Sequence, residues 1–362
     1  MNDCLIIGGG ISGLLTALQL QDAGLKVTLI ERQNTGQESS WAGGGIVSPL
    51  YPWRYSDPVN ALASWSQQHY PSFVDDIIAK TGIDPELHHT GLLVLDTDDY
   101  SQARAWADQY KVNLESLDNV QACEPQLNPN YQQGLWLPDI SNIRNPRLLQ
   151  ALKQALILSG VKLLEHQQVK TLRQDNNKIV GVETEQEFIA ANRVVVATGA
   201  WSAKFIENID VKPVCGQMIL FKTPPALISR IVLAKDHYVI PRRDGYVLVG
   251  STLEHVGFNK NTTTAAKEEL KSIAFDLIPK LANYQVEKHW AGLRPSSPNG
   301  VPYIGKHPDI EGLYINVGHF RNGIVLGLAS ARLIADIILE RSAILDVRPY
   351  EILDKPDRFT CS

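Results

Sequence analysis

Cys4-Leu-Ile-Ile7-Gly8-Gly-Gly10-Ile-Ser-Gly13, continued by Leu14 to Asp22, then Gly24, then Lys26-Val-Thr-Leu-Ile30-Glu31, is the stretch that decides the fold. A four-residue apolar run without alternation reads as a strand buried on both faces. It opens directly into the spacing Gly-x-Gly-x-x-Gly. Leu14, Leu15, Leu18 and Leu20 then predict a helix over 11–22, stopped by Gly24. Residues 26–30 form a second β-rich run, and Glu31 stands at its end, eighteen residues beyond Gly13. A bare glycine-rich turn would lack these flanks. Strand, glycine turn, helix, strand and acid, in that order, make a dinucleotide-binding unit.

The glycines have separate tasks. Gly8 permits a tight turn, Gly10 lets backbone amides at Ile11 and Ser12 approach a pyrophosphate at the helix N-terminus, and Gly13 allows helix and strand to pack closely. Glu31, followed by Arg32, is placed to accept from ribose hydroxyls. Its carboxylate would repel a 2′-phosphate, so an ADP moiety is favoured over that of NADP. The fingerprint alone leaves nicotinamide and flavin dinucleotides both open.

Later segments separate them. Asn145-Pro-Arg147, with Leu149, Leu152, Leu156 and Gly160, predicts a helix that has Asn145 as N-cap, Pro146 in its first turn and a glycine after its end. Short strands over 161–164, 169–173 and 179–184, with a turn at Asn176-Asn177, predict a meander. It ends in Val194-Val-Val-Ala-Thr198-Gly199-Ala-Trp201-Ser, and a buried strand closing in Ala-Thr-Gly brings the chain back beside the cofactor in FAD domains of the glutathione-reductase type. Residues 312–318, a turn through Arg321 and Gly323, and an apolar helix from Ile324 to Leu339 visit the same sheet a third time. That helix would aim its positive end at the flavin N1–C2=O edge, where charge accumulates on reduction. Ile324, Leu328, Ala331 and Ala335 would pack beneath it.

With these residues in view, the chain resembles the D-amino-acid oxidase superfamily of flavoenzymes, and within it the glycine oxidases of thiamine biosynthesis. The likeness runs through Ser39-Ser-Trp-Ala42-Gly43-Gly44, Trp290-Ala-Gly-Leu-Arg294-Pro295, Pro302-Tyr-Ile-Gly305 and Gly318-His-Phe-Arg321-Asn-Gly323-Ile. It implies an α/β, Rossmann-like FAD domain assembled from 1–80, 140–212 and 296–362. An α+β substrate domain with a mainly antiparallel sheet would take 81–139 and 213–295. Tyr238-Val-Ile-Pro-Arg242 and Tyr246 to Gly250 around Asp244-Gly245 give the hairpin signal expected there.

The resemblance also implies site residues. Arg294 would bind the carboxylate of a small amino acid, because a guanidinium offers two parallel donors that fix position and orientation together. Tyr238 would reach the same carboxylate, and Arg321 would face the substrate or the flavin edge. Around FAD the expected contacts are Gly8, Gly10, Ile11, Ser12, Gly13, Glu31, Arg32, Ser39, Ser40, Ala42, Gly43, Gly44, Val169, Thr198, Gly199, Trp201, His319, Phe320, Arg321, Asn322, Gly323 and Ile324. Gly43 to Gly45 would lie against the isoalloxazine ring, where a side chain would clash. Trp41, Tyr51 and Trp53 are expected to restrict the pocket to small substrates, and Asp236 to stand near it. The cofactor is expected to be noncovalent FAD, since 294–305 contains no cysteine.

Composition bounds these readings. The chain has 362 residues and a formal net charge of −5, with 34 Lys plus Arg dispersed among 39 Asp plus Glu, which argues against a nucleic-acid partner. Cys4, Cys123, Cys215 and Cys361 are far apart, without metal-ligand spacing, so no metal is expected and free thiols point to a reducing cytoplasm. The start of the chain lacks signal-peptide character, and no long uncharged apolar run predicts a membrane span. The adjacent His88 and His89 read as solvated rather than ligating. The activity implied is oxidative deamination of glycine or another small amino acid, with oxygen as acceptor, by a homo-oligomer. Two alternatives remain at this point: a D-amino-acid dehydrogenase that passes electrons to a quinone, and a flavin-binding partner subunit without turnover.

Overall fold

Four consecutive buried residues, Cys4–Ile7, form the strand at the heart of a six-stranded sheet. The computed structural model describes residues 2–96 and 98–352, so Cys361 lies outside the described residues. The strand order is Tyr303–Lys306, Leu313–Val317, Val194–Val196, Cys4–Ile7, Val27–Ile30, Lys162–Leu164. All neighbours run parallel except the antiparallel first pair. Alternation along the first strand divides the core. Cys4 and Ile6 face the helices Ile11–Asp22, Asp57–Thr81, Asn145–Leu158 and Gly323–Ile338. Leu5 and Ile7 face the opposite side, where Val169, Ile179 and Val182 of a three-stranded antiparallel sheet cover them.

Two local expectations change. The meander comprises Val169–Asp175, Lys178–Thr184 and Phe188–Ala190, and Lys162–Leu164 is not part of it. That strand follows a helix packed on the sheet, so the chain returns in parallel beside Val27–Ile30. Asn145 is not the N-cap either. It is the first helical residue, and its amide donates to the Ser40 carbonyl oxygen at 2.8 Å, tying the helix to the segment before Gly43.

The second large sheet has eight strands in the order Val286–Ser296, Lys212–Lys222, Tyr246–Gly250, His237–Pro241, Ile231–Ala234, Leu92–Val94, Gly134–Leu137, Glu115–Leu117. It is antiparallel apart from the pair Ile231–Ala234 and Leu92–Val94. Its two eleven-residue strands pair from Lys212↔Ser296 to Phe221↔Val286, which sets Gly216 opposite Gly292. The hairpin around Asp244-Gly245 forms as read, with Gly245 at φ +84° closing the turn.

Candidate active site

The glycine turn forms because its neighbours leave no room for side chains. Gly8 sits at φ +109°, and a Cβ there would fall 2.4 Å from the Ala197 carbonyl oxygen. Glu31 reaches back across the turn, accepting from the Gly9 amide at 2.8 Å and from the Gln33 amide at 3.0 Å. The Ile11 amide, at the start of the first helix, donates to Ser40 Oγ at 2.9 Å. Arg32 lays its guanidinium 3.7 Å over the Trp201 ring and donates to Glu38 at 2.8 Å. Gly8, Gly10, Ile11, Ser12, Glu31, Arg32, Ser39, Ser40, Ala42, Gly43, Gly44, Val169, Thr198, Gly199 and Trp201 line one long cavity.

Its other end is built by the last strand and helix of the first sheet. His319, Phe320, Arg321, Asn322, Gly323 and Ile324 all line it, and the helix Gly323–Ile338 begins there. Phe320 takes a left-handed φ of +48°, which turns the chain sharply between strand and helix. His319 is buried. Ser330 Oγ donates to the Leu326 carbonyl oxygen, so it accepts from His319 Nε2 at 3.0 Å, and Nδ1 is left to accept from Ser12 Oγ at 3.4 Å. Burial holds this imidazole neutral, its pKa lowered to about 4.

Between the two ends, the second sheet delivers Arg294 and Tyr238. Arg294 projects from the strand Val286–Ser296 and lies over Gly216, the residue two along from its pairing partner Val214. Its Nη2 donates to Ser251 Oγ at 2.6 Å, and its Nη1 to the carbonyl oxygens of Thr252 at 3.1 Å and Cys215 at 3.4 Å. All three acceptors are neutral. Burial lowers the pKa of Arg294, Tyr238 opposes that shift, and Arg321 adds to it as a second cation. The Tyr238 ring packs against Gly44 and Gly250, and its hydroxyl donates to Met218 Sδ at 3.7 Å. Two guanidiniums and a phenol thus share one compartment of the cavity, and no ion pair among the described residues includes Arg294 or Arg321. Such a compartment is made for an anion.

Several expected residues stand elsewhere. Gly13 does not line the cavity; a Cβ there would fall 1.9 Å from the Gly8 carbonyl oxygen, so its task is close packing of helix on turn. Trp41, Tyr51, Trp53 and Asp236 are also absent from the lining. Trp41 meets Trp290 edge-on, Tyr51 is buried with its hydroxyl on Asp96, and Trp53 donates to Asp99 at 2.5 Å. The Asp236 amide donates to the Tyr51 hydroxyl at 3.2 Å, while its own side chain faces solvent. Ile46, Ser48, Leu50 and Met218 line the cavity instead. Gly216, Ser251 and Asn145 also line the cavity and carry no sequence signal for it, because each meets it through backbone room or through a partner distant in sequence. His88 and His89 join no metal-binding group among the described residues. No described helix is long and apolar enough to cross a membrane.

Residues 3–337 match the FAD dependent oxidoreductase family, which spans both sheets and the cavity between them. The chain belongs to that family. A glycine oxidase of Pseudomonas aeruginosa is 46% identical over 353 residues, covering 96% of this chain and 97% of the relative. The bifunctional protein ThiO/ThiG of Synechocystis is 32% identical over 99% of this chain, which spans 54% of that longer protein. The crystal structure of glycine oxidase from Geobacillus kaustophilus superposes with a TM-score of 0.93 at 27% identity, covering 98% of this chain and 99% of the other. The protein is therefore an FAD-dependent oxidoreductase of mixed α/β fold, with the mainly antiparallel second sheet expected from its sequence.

The cavity fits that cofactor. Among the described residues, Asn145 Oδ1, Gln167 Oε1, Asn316 Oδ1, Arg321 Nε and Asn322 Nδ2 are buried without a hydrogen-bond partner and belong to residues that line the cavity. Polar groups left unpaired around one cavity match a polar ligand. Gly8 and Gly10 line the cavity where the helix Ile11–Asp22 begins, the place at which a pyrophosphate would meet a helix N-terminus.

Proposed function

We propose that the protein oxidises glycine, and other small amino acids, at the Cα–N bond. FAD, when bound, would supply the two-electron acceptor for the substrate's hydride, with oxygen as the final acceptor and hydrogen peroxide as the product. Gly8, Gly10, Ser12 and Glu31 would hold its ADP half, while Gly43, Gly44 and the turn from His319 to Ile324 would hold its flavin half. Arg294 grips the substrate carboxylate bidentately, Tyr238 donates to it, and Arg321 adds a second positive charge. The α-carbon is thereby held in one orientation. The imine product leaves the site and hydrolyses in water to the α-keto acid and ammonia.

The observation that carries this reading is the Arg294 guanidinium, buried against Gly216 and hydrogen-bonded only to neutral acceptors. A buried charge without a counter-ion is costly, and a carboxylate ligand offsets that cost. The similarity to glycine oxidases supports glycine as the substrate, and the match to ThiO/ThiG supports a place in thiamine biosynthesis. Cys4, Cys123 and Cys215 are free, which supports a reducing cytoplasm as its location, and the family resemblance supports a homo-oligomer. Light scattering of the purified protein decides the oligomeric state.

Anaerobic mixing of the holoenzyme with glycine should bleach the flavin, and air should restore its colour with release of peroxide. Arg294→Met should bind FAD yet need far more glycine. Bleaching by no small amino acid would overturn the reading, and recovery with a quinone but not with air would replace the acceptor. Denaturation should release the flavin from the chain.

A further inference from the structure

Among the described residues, the most deeply buried cation that this reaction leaves unused is Arg242, which follows the strand His237–Pro241 and is 6% exposed. It makes no direct pair with a carboxylate. Its Nη1 donates to Asn142 Oδ1 at 2.6 Å and to the Ile143 carbonyl oxygen at 3.0 Å, and its Nη2 donates to the Gly44 carbonyl oxygen at 2.7 Å. Glu86 and Asp244 act on it only at longer range, and both are engaged by Arg144. A buried guanidinium that costs this much to desolvate, and that spends its donors on backbone and amide oxygens, serves the atoms it holds.

Those atoms belong to the glycine loop. Gly43, Gly44 and Gly45 line the cavity, and Gly44 touches Tyr238 and Ile240 so closely that a Cβ would fall 3.0 Å and 2.7 Å from them. The Gly45 carbonyl oxygen accepts from the Ile143 amide at 2.8 Å, so Arg242 and Ile143 together grip the loop from behind. In a trans peptide the N–H points opposite to the C=O. With the Gly44 carbonyl held by Arg242, the Gly45 N–H is turned away from the guanidinium.

We infer that Arg242 is a positioning residue for the cofactor: it fixes the peptide plane of the Gly43–Gly45 loop and keeps one positive charge behind the wall that the flavin half would face. This rests on the cavity being the FAD site. Charge stabilisation from a preorganised buried cation favours the reduced, more negative flavin.

Three proteins test it: wild type, Arg242→Lys and Arg242→Met. FAD affinity is read by titrating each apoprotein, and the reduction equilibrium by anaerobic co-reduction with a reference dye. Arg242→Met should shift the two-electron equilibrium against reduction by about tenfold or more, roughly 30 mV. Arg242→Lys keeps the charge but cannot make all three contacts, so its equilibrium should stay within about threefold while FAD binds about tenfold more weakly. A folded Arg242→Met with wild-type equilibrium and affinity would overturn the proposal. If Arg242→Met does not fold, Arg242→Lys decides, and unchanged FAD affinity there overturns it too. A wild-type apoprotein that takes up no FAD would sink the underlying reading instead.

Discussion

Replacing Gly216 by alanine should separate function from stability. The added Cβ would fall 2.0 Å from Arg294 Nη2 and 2.2 Å from both Cζ and Nη1, where ordinary contact begins at 3.4 Å. The guanidinium must therefore retreat by about 1.4 Å, further than a bidentate hydrogen bond tolerates. Its bonds to Ser251 and Thr252 go with it, as does the grip on a substrate carboxylate. Losing two charge-assisted contacts costs on the order of 2–4 kcal/mol, about 30- to 1,000-fold in apparent affinity. The backbone should keep its fold. Gly216 lies in a strand interior with an ordinary φ, and the group that must move is the free end of a long side chain. Alanine gains about 0.5–1 kcal/mol over glycine in a strand interior, which offsets only part of the two lost bonds, so Tm should fall by no more than a few degrees while the activity loss is large. Oxygen uptake against glycine concentration reads the loss, displacement of a simple carboxylate such as acetate reads binding alone, and a thermal melt reads stability. A variant with wild-type KM would refute the placement of Arg294, and one that melts far earlier would refute the claim that the cost is local.

Gly13→Ala should behave in the opposite way, because its Cβ would meet the Gly8 backbone rather than a mobile side chain; FAD titration and melting should both show severe loss. His319 gives a pH signature. Its folded pKa of about 4 lies below the ordinary 6.5, so the unfolded chain binds the extra proton and stability falls as pH drops from about 6.5 towards 4, by about 3 kcal/mol in all. His319→Gln should flatten that part of the urea-unfolding profile relative to wild type, and an unchanged slope would show that other groups set it. Trp53→Ala should leave the order of preferred amino acids unchanged, since Trp53 does not line the cavity, whereas Leu50→Ala should admit larger side chains; competition among glycine, sarcosine and D-proline checks both.

Local signals carried much of this architecture. The first thirty-one residues declare a strand, a turn and a helix because burial on two faces, glycine geometry and helical periodicity are all written within a few positions. The Asp244-Gly245 hairpin was readable for the same reason. What failed was nonlocal. The helix Asp57–Thr81 carries Pro58 in its first turn and Pro71 within it, and its place is fixed by contacts such as Tyr70 Oη donating to the Ile324 carbonyl oxygen at 2.7 Å. No spacing in the segment announces that partner. Among site residues, those tied to motifs converge on one cavity, while Gly216 serves only because Arg294 crosses over it. Trp41, Tyr51 and Trp53 misled because aromatics near a glycine loop read equally as pocket wall or packed surface, and only the pairing of Tyr51 with Asp96 and Trp53 with Asp99 separates the two.

The order of strands in the first sheet also bears on how the chain is born. The central strand Cys4–Ile7 leaves the ribosome well before one of its neighbours, Val194–Val196, which follows nearly two hundred residues later. The next, Leu313–Val317, and the helix it feeds come more than a hundred residues later still. Until Val194–Val196 is made, Cys4–Ile7 has only Val27–Ile30 as a sheet neighbour, and until Gly323–Ile338 is made part of its helix-covered face lies open. Contacts this distant close slowly and leave the nascent chain exposed to wrong partners. Cofactor capture therefore waits until the strand Leu313–Val317 and the helix Gly323–Ile338 have been made, with segments far apart in the chain meeting across one sheet.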